Sequence, residues 1–153
     1  MKQSYKRRGR RVVVDTSAVI SGISGFKSPF VAGKNDSADM LHEWAESGNF
    51  VWLVTPAIVD EYKEVAKRLR VRPNVVGRFV NLLKEEAEEV TLLGNAEISP
   101  DPGDNCFCAC SEEGMADFLV TLNPKDFPQK KLSARVVSPA EFRWMIQRRQ
   151  SKW

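Results

Sequence analysis

An α/β fold built on a mainly parallel sheet of four to five strands, flanked by helices, is predicted from three observations. Short apolar runs alternate along the chain with segments whose apolar residues recur at helical spacing. Acids stand where strands hand over to helices, at Asp15, Glu61, Asp104 and Asp126. The length, 153 residues, suits one domain, which at that size buries about 68–70% of its unfolded surface.

Val12 to Val14 is the first strand, apolar without a break and therefore covered on both faces. Asp15-Thr16-Ser17 leaves it at the carboxyl end, where ligands collect in open parallel sheets. Gly22, Gly25, Pro29 and Gly33 punctuate a loop. Asp36 or Ser37 then caps a helix that carries Leu41, Trp44 and Ala45 and is closed by Gly48. Phe50 to Val54 is the second strand. Thr55 and Pro56 follow as cap and first helical residue, a place where proline loses no helical hydrogen bond.

That helix runs to about Leu69, with Ile58, Tyr62, Val65 and Leu69 as its buried stripe. Glu61 lies at the margin of the stripe, where a purely structural choice would be apolar. A second long helix spans about Asn74 to Val90, its stripe Val76, Phe79, Leu83 and Ala87, and Glu85, Glu86, Glu88 and Glu89 form its solvated side. Pro100 to Asn105 is a rigid turn that brings Asp104 to the start of a helix through Cys110. Asp104 alone also fits an N-cap, worth about 1 kcal/mol, and Asp101 fits a turn. Asp117 to Thr121 is the next strand, and Leu122 to Phe127 sets Asn123 and Asp126 beyond it. Arg135 to Val137 closes the sheet. Ser138-Pro139-Ala140-Glu141 is a capping box opening a terminal helix to about Arg149.

The net charge of +3 conceals segregation. Lys2, Lys6, Arg7, Arg8, Arg10 and Arg11 precede every acid, and Arg143, Arg148, Arg149 and Lys152 follow the last. Residues 12 to 142 carry 13 basic and 20 acidic residues, a net of −7. A cationic periphery around an acidic middle suits a polyanion gripped at the edges, although solubilising tails give the same pattern. No run approaches the roughly 20 apolar residues of a membrane span, and the N-terminus lacks the apolar core of a secretory signal. A cytoplasmic protein without a membrane partner is expected.

Cys106, Cys108 and Cys110 sit at alternate positions with no other cysteine to pair with, so they read as small core residues of a reducing compartment. The one histidine, His42, reads as a surface-helix residue. Zinc therefore lacks its usual ligands. Four carboxylates converging on one wet edge repel one another without a cation, and hard oxygen ligands select Mg²⁺ or Mn²⁺.

Five segments, in order, resemble a PIN domain over Val12 to Phe142: V-V-V-D-T-S at Val12 to Ser17, T-P-A-I-V-D-E-Y at Thr55 to Tyr62, D-P-G-D-N at Asp101 to Asn105, A-D-F-L-V-T-L-N-P-K-D-F at Ala116 to Phe127, and V-V-S-P-A-E-F at Val136 to Phe142. Within that superfamily the chain is similar to the bacterial toxin branch related to VapC. The resemblance implies a three-layer PIN-like domain over residues 12–150 behind a basic tail of residues 1–11. It implies a Mg²⁺- or Mn²⁺-dependent ribonuclease with Asp15, Glu61, Asp104 and Asp126 as the catalytic, metal-binding quartet. Asp117 and Asn123 are outer candidates, and Thr16 or Ser17 supports the site through its hydroxyl. Asn123 stands where many members have aspartate. The toxin reading further implies an RNA substrate, a small cognate antitoxin protein and a homodimer. Arg68, Arg70 and Arg72 are candidate phosphate contacts, with solvated charges at a helix end as the bland alternative.

A haloacid-dehalogenase-type phosphatase needs an acid two residues after the first, where Ser17 stands. A receiver domain needs an acidic pair before its first helix and a lysine after its last strand. The stronger rival is a PIN-like module that binds RNA or protein without cutting.

Overall fold

The computed structural model describes residues 9–25, 30–94 and 102–150, apart from the side chains of residues 102 and 148–150. The expected basic tail falls mostly on residues 1–8, and the turn at Pro100 and Asp101 also lies outside the described residues, as does Lys152.

The strands are β1 (Arg11–Val14), β2 (Val51–Val54), β3 (Glu88–Glu89), β4 (Phe118–Val120) and β5 (Arg135–Val137). They form one sheet in the order β3-β2-β1-β4-β5, and every pairing is parallel. The helices are α1 (Thr16–Ser24), α2 (Asp36–Ser47), α3 (Pro56–Arg68), α4 (Pro73–Glu86), α5 (Pro102–Glu113) and α6 (Pro139–Gln150). The α/β expectation holds, with five strands and six flanking helices.

Local chemistry accounts for most boundaries. Thr55 caps α3 by accepting from Ile58 N–H at 3.2 Å. The capping box of α6 is closed in both directions, Ser138 N–H to Glu141 Oε1 at 3.0 Å and Glu141 N–H to Ser138 Oγ at 3.1 Å. Gly48, in the left-handed region at φ 59°, ends α2. Three expectations are corrected. Asn35, not Asp36 or Ser37, caps α2, accepting from Ala38 N–H at 3.0 Å. The long second helix stops at Glu86, because Glu88 and Glu89 pair with Leu53 and Val54 as a fifth strand. The stretch read as loop through Gly22 is helix α1, and Gly22 has a packing role in it. A Cβ there would collide with the Leu41 side chain and approach Ser37 O to 3.0 Å, so glycine lets α1 and α2 close together.

The core is aromatic at its centre. Trp52 on β2 touches Trp44, Phe50, Tyr62 and Phe79. Tyr62, fully buried, accepts from Trp52 Nε1 at 3.3 Å and donates to Val14 O at 2.6 Å. Desolvation by burial, only partly offset by the Trp52 hydrogen bond, raises its hydroxyl well above the ordinary tyrosine value, so the O–H remains a donor. This bond pins the second turn of α3 to the residue before Asp15. Among the described residues no helix is long and apolar enough to cross a membrane.

Candidate active site at the carboxyl edge

Asp15 follows β1 directly and is 8% exposed. Its N–H bonds Val120 O at 2.8 Å, tying it to the end of β4. Two hydroxyls converge on one carboxylate oxygen: Ser17 Oγ donates to Asp15 Oδ2 at 2.7 Å and Thr121 Oγ1 to the same atom at 2.8 Å. Among the described residues no arginine or lysine pairs with this carboxylate, and Oδ1 receives no hydrogen bond. The same hydroxyls also hold the loop after β4. Leu122 N–H donates to Ser17 Oγ at 3.0 Å, and Asn123 N–H to Thr121 Oγ1 at 3.0 Å.

Thr121 is the participant that reading the sequence missed. It lies 106 residues from Asp15 in the chain, and only the register Val14 to Val120 puts the two strand ends together. Of the two hydroxyls expected beside Asp15, Ser17 is the one that donates to its carboxylate. The Thr16 hydroxyl is buried without a partner and turned away from solvent.

Glu61 and Asp104 are half-buried. Glu61 is one residue from the Tyr62 anchor on α3, and Asp104 is in the first turn of α5, which packs on β1 and on α3. The cysteines of α5 register the arrangement electrostatically. Burial, and after it the carboxylates of Glu61 and Asp15, push the Cys106 thiol up to about 11. Burial likewise lifts Cys108 to about 12, with Asp104 the largest charge acting on it and Asp15 also contributing. Asp15 thus acts on both thiols, Glu61 on Cys106 and Asp104 on Cys108. Cys108 and Cys110 are fully buried, in keeping with the core role expected of them.

The remaining candidates stand apart. Asp126 is exposed at the end of a short 3₁₀ turn, Pro124–Asp126, and Asn123 is exposed just before it. Asp117 is at the opposite, amino end of the strands, about 13 Å away at 3.3 Å per residue. There it accepts from Arg11 N–H at 2.8 Å and lies 3.7 Å from Arg10 Nη1. The structure does not bring it to the other acids. Arg68, Arg70 and Arg72 lie on the turn between α3 and α4. Arg72 lines a cleft of about 390 Å³ with Ile23, about 10 Å along α1 from Thr16. Among the described residues, no three aspartate, glutamate, histidine or cysteine side chains stand close enough to hold a metal ion as a group.

Two parts of the expected cationic periphery are internal instead. Arg11 belongs to β1 and forks onto Glu88 at 2.7 and 3.1 Å. Arg143 binds Glu43 at 2.7 Å and Asp36 at 2.9 Å, with Asp39 at 3.6 Å, joining α6 to α2. Those carboxylates raise its guanidinium above the ordinary arginine value.

A family model described as PIN domain matches residues 11–125. Asp15, Glu61 and Asp104 fall within the match, and Asp126 lies one residue beyond it. No curated protein matches the chain.

Proposed function

The chain belongs to the PIN-domain family, a nuclease-type family, and from that premise we propose that it is a Mg²⁺- or Mn²⁺-dependent endoribonuclease, the toxin of a toxin–antitoxin pair. The observation that carries the reading is Asp15: a carboxylate at a strand's carboxyl end, oriented by two hydroxyls and, among the described residues, left without a cationic partner. An enclosed anion of this kind, with Glu61 on α3 and Asp104 on α5, is stabilised by a cation from solution.

The donor chemistry fits a hard divalent ion, since carboxylate oxygens and one free edge of Asp15 are what such an ion takes. Asp15, Glu61 and Asp104 would hold it, and Asp126, on the exposed turn after β4, is the fourth candidate. When bound, the ion supplies Lewis-acid activation of water and countercharge for the phosphate. The side chains do the rest. Ser17 and Thr121 fix the Asp15 carboxylate through Oδ2, leaving Oδ1 for the ion. Asp104 or Asp126 would orient the attacking water and accept its proton as the water oxygen bonds to phosphorus and the P–O3′ bond breaks, the O3′ leaving group taking a proton from solvent. No ribose hydroxyl takes part, so preference for RNA comes from the surrounding surface.

The test is cleavage of mixed-sequence single-stranded RNA with Mg²⁺, Mn²⁺ or EDTA. Cleavage present with metal, abolished by EDTA and abolished in a folded Asp15→Asn variant is the expected result. Full activity in that variant would end the assignment. A second reading, a PIN-like module that binds without cutting, draws on the absence of a closed metal-holding group among the described residues. Calorimetric titration with Mn²⁺ separates the two, because a degenerate site gives no heat. The toxin role adds a small cognate antitoxin, a homodimer and a cytoplasmic location; copurification of a small acidic-site-blocking partner from its native cell checks the first.

A further inference from the structure

From Val65 to Lys84 the chain carries six cations, Lys67, Arg68, Arg70, Arg72, Arg78 and Lys84, and no acid. This is the end of α3, the turn and most of α4, within a stretch whose overall charge is acidic. A cleft of about 680 Å³ runs between the two helices with Lys63, Lys67 and Arg70 on its rim and Val71, Val76 and Val80 on its floor. No acid lines it. Lys63 and Lys67 are one helical turn apart, about 6 Å along the axis, and Arg70 follows in the turn that ends α3 and lines the same cleft. Lys67 and Arg70 enter no ion pair among the described residues, and Lys63 has only a 3.9 Å contact with exposed Asp60.

Arg70 adds an independent sign. Its backbone is left-handed, at φ 60°, a conformation that glycine or asparagine adopts with less strain. The turn is tight, with Val71 N–H on Ala66 O at 2.9 Å and Arg70 N–H on Lys67 O at 3.1 Å. A turn that glycine would serve better for stability, yet holds a solvent-exposed guanidinium beside two lysines, points to a use for the side chain.

We propose that Lys63, Lys67 and Arg70 form a phosphate track for single-stranded RNA, gripping the strand away from the reacting bond. The proposal rests on the ribonuclease reading for its ligand. A row of equally signed charges matches a polyanion with a repeating charge better than it matches a folded acidic partner. On α3, Glu61 and Lys63 lie about 200° apart around the axis at 100° per residue, so the track does not touch the scissile phosphate. It acts on strand affinity and leaves the chemical step alone. This assigns the cationic role to a face of α3 that includes lysines, with Arg70 the member shared with the arginines singled out from sequence.

The test is binding of a fluorescent long single-stranded RNA and of a very short one, in EDTA so that no cleavage occurs, over a salt series. It compares the native chain with Lys63→Gln/Lys67→Gln/Arg70→Gly. The long strand is expected to bind at least tenfold more weakly to the variant, with a salt dependence shallower by about 2 in log–log slope, since each lost single-strand phosphate contact removes about 0.7. Short-strand binding and the thermal midpoint are expected not to fall, because the three residues are exposed and Arg70→Gly relieves the turn. Unchanged long-strand affinity and slope would overturn the track, as would an acidic helical peptide that depends on these residues while RNA does not. Because binding is read without metal, loss of cleavage by the native chain would fall on the nuclease reading alone, and an unchanged slope would fall on the track alone.

Discussion

Strands β1 and β4 carry an acid near each end, and the two ends treat their acids in opposite ways. At the amino end, Asp117 receives Arg11 N–H and faces Arg10, while Glu88 is forked by the Arg11 guanidinium, whose Nε also donates to Gly114 O at 2.8 Å. Every charge there has an opposite charge from the protein. At the carboxyl end, Asp15 has only two hydroxyls among the described residues. Hydroxyls orient a carboxylate without neutralising it. The comparison teaches that acid type alone does not distinguish a structural carboxylate from a candidate ligand; the strand end and the partner do.

The largest effect that could break this comparison is Asp15→Asn against Asp117→Asn. The first is expected to abolish metal-dependent cleavage with the fold retained by circular dichroism, and the second to leave cleavage within a fewfold of native. Next come the hydroxyls. Ser17→Ala and Thr121→Val each remove one support from Asp15 and one from the loop after β4, and each is expected to lower kcat about 10–100-fold, as loss of groups that orient a metal ligand does. Equal activity in both would show that the carboxylate needs no orientation.

Tyr62→Phe tests the link between core and site. It leaves Val14 O buried without its donor and is expected to cost about 1–3 kcal/mol in urea denaturation, with a smaller fall in activity through Glu61. Arg11→Met at the amino end removes three hydrogen bonds from a part-exposed side chain and is expected to cost about 1 kcal/mol, with cleavage unchanged. The smallest effect concerns pH. The α5 thiols are lifted from 9.0 to about 11 or 12, so above pH 9 the unfolded chain loses these protons before the folded one does. Stability is therefore full below that value and declines as pH rises toward 12. Thermal midpoints across that window should fall, and fall less in Cys108→Ala/Cys110→Ala.

Features with local causes were legible from sequence: β5 and its residues, the α6 capping box, the Thr55-Pro56 start of α3, and the position of Asp15 past an apolar strand. Features decided across the fold were not. Gly22 looks like a loop signal until Leu41 of α2 is seen against it. Glu88 and Glu89 carry no strand pattern, being acids in a two-residue strand fixed by pairing with β2. Thr121 acquires its role only through strand register. Asp117 entered the outer candidates through the family resemblance, although it opens its strand and so stands at the amino end of a parallel pairing.

The most direct measurement is calorimetric titration of Mn²⁺ into the native chain, Asp15→Asn and Asp117→Asn. Heat from the native chain and Asp117→Asn, and none from Asp15→Asn, is what the unneutralised carboxyl edge predicts. Heat that survives Asp15→Asn, or vanishes with Asp117→Asn, would contradict the assignment of the cation to that edge.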